Sequence, residues 1–63
     1  MKLSNALRLV NAHPSKRFSF VFITEDEAQR TKHNWYVGLF NQSLHLDYIV
    51  ERRGNLITIE RWI

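Results

Sequence analysis

Leu3, Ala6, Leu7 and Val10 recur at the spacing of one helical face, with Ser4, Asn5 and Arg8 turned away from it. The pattern predicts an amphipathic helix that stops near residue 12. Pro14 cannot continue it, and it biases His13 away from helical angles. Between Arg17 and Thr24 the aromatic residues Phe18, Phe20 and Phe22 alternate with smaller ones, the period of a strand.

The next stretch is polar. Thr24 and Glu27 form a capping-box pattern, yet Ala28 is the only apolar residue between Thr24 and Asn34. A helix that is polar all round gains nothing from a core. The expectation is therefore a short polar helix, one or two exposed turns within residues 25–33, joining strands 1 and 2.

Three further strands are expected, over Asn34–Phe40, Leu44–Arg52 and Leu56–Ile63. Gly54-Asn55 is a favoured two-residue hairpin loop, because glycine accepts a positive φ at the first loop position. It pairs Arg52 with Ile57, Val50 with Ile59, Tyr48 with Arg61, and Leu46 with Ile63. A four-residue loop over Asn41–Leu44 pairs Leu39 with Leu46, Val37 with Tyr48, and Trp35 with Val50. The two registers agree on which residues share a face.

The predicted fold is thus a single α+β domain over residues 1–63: one N-terminal helix packed on a four-stranded antiparallel sheet. The core face carries Phe18, Phe20, Phe22, Trp35, Val37, Leu39, Leu46, Tyr48, Val50, Ile57, Ile59 and Ile63. The N-terminal helix is the only predicted element able to cover it. Arg61 is expected at its edge, over the Tyr48 ring.

The second face mixes acids with large apolar groups: Val21, Ile23, Tyr36, Phe40, Ile49 and Trp62 beside Asp47, Glu51 and Glu60. A contiguous apolar patch of this kind marks an interface. Tyr36, Phe40, Ile49 and Trp62 are the candidate partner-binding residues. The rival arrangement folds the short polar helix back over this face.

Composition sharpens the picture in one respect. The chain has 63 residues and no cysteine, so disulfides cannot supplement its core, and self-association is a natural way to bury more surface. It is 44% hydrophobic, enough for a packed core. No apolar run reaches the roughly 20 residues of a membrane span, and no signal-peptide h-region appears, so a cytoplasmic protein is expected, with no membrane partner.

The chemistry is sparse. His13, His33 and His45 lack zinc-ligand spacing, so no metal and no other cofactor are expected. Glu25, Asp26 and Glu27 suit the first turn of a helix, whose dipole favours acids there. Asp47, Glu51 and Glu60 with Arg52 suggest a nuclease-like group, but one small sheet offers little of the concavity an active site needs. No enzyme activity is expected.

The net charge is +3, and Lys16, Arg17, Arg30, Lys32, Arg52 and Arg53 fall at strand ends or connections. These residues define the alternative reading, a small basic nucleic-acid-binding protein. Against it, the acids of the second face repel phosphate. The sequence therefore favours a small non-enzymatic protein-binding or regulatory module of the inhibitor or adaptor type. Its partner is another protein or a second copy in a homodimer, held by an exposed sheet face.

Overall fold

The computed structural model describes residues 1–62. The elements run α1 (Leu3–Ala12), β1 (Phe18–Val21), α2 (Glu25–Asn41), β2 (Tyr48–Arg53) and β3 (Leu56–Arg61). The strands form one antiparallel three-stranded sheet in the order β1-β3-β2. The fold is α+β, but the sheet has three strands rather than four.

The difference lies in residues 34–40, which continue α2 instead of forming a strand. Thr24 caps this helix, its hydroxyl accepting the Glu27 amide at 3.1 Å, as the capping-box pattern predicts. Glu25, Asp26 and Glu27 occupy the first turn, where the dipole favours them. The expected short polar helix is therefore only the first part of a 17-residue helix. Ala28, Trp35 and Leu39 give that helix its buried stripe.

α2 ends in a Schellman motif. The Leu44 amide donates to the Leu39 carbonyl at 2.8 Å and the Ser43 amide to Phe40 at 3.0 Å. Ser43 takes the left-handed conformation usually given to glycine, with φ of 59°. Residues 44–47 then turn rather than pair. The expected pairings of Leu39, Val37 and Trp35 with Leu46, Tyr48 and Val50 do not exist, and Leu46 is exposed.

The β2–β3 hairpin has the expected register. Tyr48 lies opposite Arg61, Val50 opposite Ile59, and Arg52 opposite Ile57. Gly54 supplies the positive φ, 62°, at the first loop position. The further pairing of Leu46 with Ile63, and Ile63's place on the core face, lie outside the described residues. β1 is shorter than expected and pairs only with β3, Phe18 opposite Ile59 and Phe20 opposite Ile57. Ile57 and Ile59 are thus central and fully buried.

One core follows, built from Ala6 and Val10 of α1, Ala28, Trp35 and Leu39 of α2, and Phe22, Tyr48, Ile57 and Ile59. Both helices sit on the same sheet face. The N-terminal helix is not the sole cover, and α2 does not fold over the second face. Leu3 of α1 and Gly38 of α2 meet so closely that a Cβ on Gly38 would stand 2.8 Å from Leu3 Cδ2. Asn11 pins the end of α1 to the sheet. Its Oδ1 accepts the Tyr48 hydroxyl at 2.6 Å and the Arg61 guanidinium at 3.1 Å. Arg61 also lies 5.9 Å from the Tyr48 ring centroid, as the sequence suggests.

Candidate functional site

The sheet face opposite the helices is uncovered among the described residues. Strand alternation and the register arrange it in cross-strand rows. One row holds Val21, Leu56 and Arg53; the next holds Ser19, Thr58 and Glu51. Farther on, Glu60 lies beside Ile49 and takes Arg17 at 3.5 Å. At the far end the Trp62 amide donates to the Asp47 carbonyl at 2.8 Å. The face is apolar at both ends and polar in the middle.

Its apolar residues differ in exposure, Ile49 and Leu56 being half-buried and the others open. Val21 is 76% accessible and Trp62 65%, and Ile23, just beyond β1, is 90%. Burying groups of this size is worth about 1.5–3 kcal/mol each.

The four predicted partner-binding residues do not all share this face. Ile49 and Trp62 belong to it. Tyr36 and Phe40 lie on the exposed flank of α2, one helical turn apart. The predicted neighbourhood of Phe40 and His45 does exist, with ring centroids 4.5 Å apart, but it joins the end of α2 to the following turn instead of two strands. His45 Nδ1 is buried and has no hydrogen-bond partner among the described residues. Tyr36 and Ile49 both line a cleft of about 190 Å³ between α2 and β2, so Ile49 stands where the two surfaces meet.

The sequence-based site leaves out Val21 and Leu56. Their signal was available: Leu56 faces away from Ile57 and Ile59 in the predicted hairpin, and Val21 alternates with the phenylalanines. Once Tyr36 and Phe40 leave the sheet, Val21 and Leu56 supply most of the remaining apolar surface at the hairpin end.

The candidate basic residues are carried by both the sheet and α2. Arg52 bridges Glu25 at 3.2 Å and the Gly54 carbonyl at 2.9 Å, tying the hairpin to the start of α2. Arg17 and Arg53 stand in different rows of the open face, yet together with Arg52, Ser19, Glu51 and Thr58 they line one depression on it. Lys16 precedes β1, while Arg30 and Lys32 are carried by α2.

Asp47, Glu51 and Glu60 do share the open face, in three different rows. Among the described residues no group of three or more His, Cys, Asp or Glu side chains is placed to hold a metal ion. No described helix is long and apolar enough to cross a membrane.

Neither protein-family models, curated proteins nor solved structures give a match to this chain, so its own residues must carry the functional argument.

Proposed function

We propose that the chain is a non-enzymatic protein-binding or regulatory module that docks another protein on its open sheet face. The observation that carries this reading is the uneven cover of the sheet. Both helices stack on one face, while the other keeps Val21, Leu56, Ile49 and Trp62 in cross-strand rows with no described element over them. Tryptophan at the edge of such a patch is a natural anchor, since it desolvates a large area and dominates many binding hot spots. The central Ser19, Thr58 and Glu51 would set orientation through hydrogen bonds.

The experiment is affinity capture from the native host, run with and without nuclease and across a salt series. The account expects a protein partner that survives nuclease and tolerates salt. A nucleic-acid complex would instead weaken steeply with salt, because each neutralised phosphate releases counterions. Binding of that kind, lost in Arg17→Ala with Arg53→Ala, would overturn the proposal.

A further inference from the structure

The edge of β2 is bare. Trp62 donates to Asp47 across the β2–β3 ladder, which fixes the alternation: Asp47, Ile49, Glu51 and Arg53 turn their backbone groups toward β3. Tyr48, Val50 and Arg52 therefore turn their N–H and C=O groups outward. Among the described residues these outward groups make no hydrogen bond within the chain. β1 offers a poorer edge. It has four residues, and the Phe22 amide bonded to Asn55 leaves only Ser19 and Val21 turned outward.

We infer that the β2 edge pairs with the β2 edge of a second copy of this chain, antiparallel and centred on Val50. The strand is its own complement in that register. Val50 meets Val50 of the partner subunit, and Tyr48 meets Arg52 of the partner subunit, so all three outward-facing residues gain ladder partners. On the open face, Asp47 lies opposite Arg53 of the partner subunit, once at each end. Neither Asp47 nor Arg53 forms an ion pair within the described chain, and both are exposed.

The adjacent registers are worse: centring on Ile49 sets Asp47 opposite Glu51 of the partner subunit, and centring on Glu51 sets two carboxylates against each other. Centring on Arg52 sets two guanidinium groups against each other. Centring on Tyr48 pairs Val50 with Leu46, which lies in the turn outside β2. Charged edges usually discourage pairing, but the Val50 register sets opposite charges against each other at both ends and no like charges anywhere along the strand.

The helix layer agrees. α2 runs antiparallel to β2, with Glu25 near Arg52 and Leu39 near Tyr48. Its flank of Gln29, Lys32 and Tyr36 borders the same edge. Across the two-fold axis the two α2 helices would run side by side, bringing each half-exposed Tyr36 toward the other. Dimerisation also joins the two open faces. The Trp62–Asp47 row of one protomer continues into the Arg53–Leu56–Val21 row of its partner, giving one platform for the docking proposed above. The inference extends that reading without depending on it.

The test is analytical ultracentrifugation of the full chain across a concentration series, for the parent and three variants, each checked for folding by circular dichroism. The parent is expected to dimerise. Asp47→Arg and Arg53→Asp each set like charges opposite one another at both ends, and should raise the dissociation constant about tenfold. The double variant Asp47→Arg/Arg53→Asp restores opposite charges and should recover the parent's dimer. A parent that stays monomeric at every concentration, single variants that dimerise normally, or a double variant that is not rescued would overturn the inference. The open-face reading is tested separately by Trp62→Ser, which leaves the β2 edge untouched.

Discussion

Trp35 of α2 meets Phe20 of β1 edge-on, with ring centroids 5.9 Å apart and planes at 86°. Phe20 sits opposite Ile57 on the core face of the sheet, so this contact places α2 on that face beside α1. The Trp35 indole also donates to the Met1 carbonyl at 3.2 Å, joining α2 to the chain ahead of α1. One residue therefore links α2 to the sheet and to the chain ahead of α1, and among the described residues the opposite sheet face has no cover.

Trp35 should accordingly dominate stability. Trp35→Ala is expected to cost about 3–5 kcal/mol, from lost burial and the cavity left behind. A small domain has a total margin of about 5 kcal/mol at the low end, so the variant should be largely unfolded. Urea denaturation followed by circular dichroism checks this. A variant that unfolds at the parent's midpoint would contradict the placement of α2.

The start of α2 depends on one hydroxyl. Thr24→Ala removes the acceptor for the Glu27 amide and should cost about 1 kcal/mol. Thr24→Ser keeps the acceptor and should stay close to the parent in thermal melting. Equal losses in both variants would mean that the cap contributes nothing.

The end of α2 offers the reverse opportunity. Ser43 occupies a left-handed position where its Cβ is unfavourable. Ser43→Gly should stabilise the domain by roughly 0.5–1 kcal/mol, the relief at the helix end exceeding glycine's added freedom in the unfolded chain. Differential scanning calorimetry should show a higher melting temperature. A lower one would mean that the serine side chain contributes more than its backbone strain costs.

Local signals in the sequence suffice where a single element decides the outcome. The α1 stripe ends before Pro14, the Thr24 cap starts α2, and Gly54-Asn55 sets the β2–β3 register. The error came where two periods fit the same residues. Trp35, Val37 and Leu39 alternate as a strand would, but Ala28, Trp35 and Leu39 also form one helical stripe.

Aromatic and β-branched residues tipped that choice toward strand, although such propensities yield to tertiary packing. No proline interrupts the stretch from the Thr24 cap to Ser43, and a single glycine, Gly38, is tolerated within a helix. A helix begun at Thr24 has no reason to stop at Asn34, and Gly38 serves the close approach of Leu3. With α2 miscast, Tyr36 and Phe40 were assigned to the sheet, and the candidate site took in two residues from a different surface. Ile49 and Trp62 were placed correctly because they depend only on the hairpin.

Docking on the open sheet face stands or falls with Trp62, its largest exposed side chain. Trp62→Ser is to be measured in parallel for melting temperature and for affinity toward the nuclease-resistant protein captured by the parent. Because Trp62 is largely exposed, the account predicts an unchanged melting temperature and a loss of about 2 kcal/mol or more in binding, the range of a hot-spot anchor. A lowered melting temperature with binding intact would contradict it, and would make Trp62 a structural residue of its own subunit.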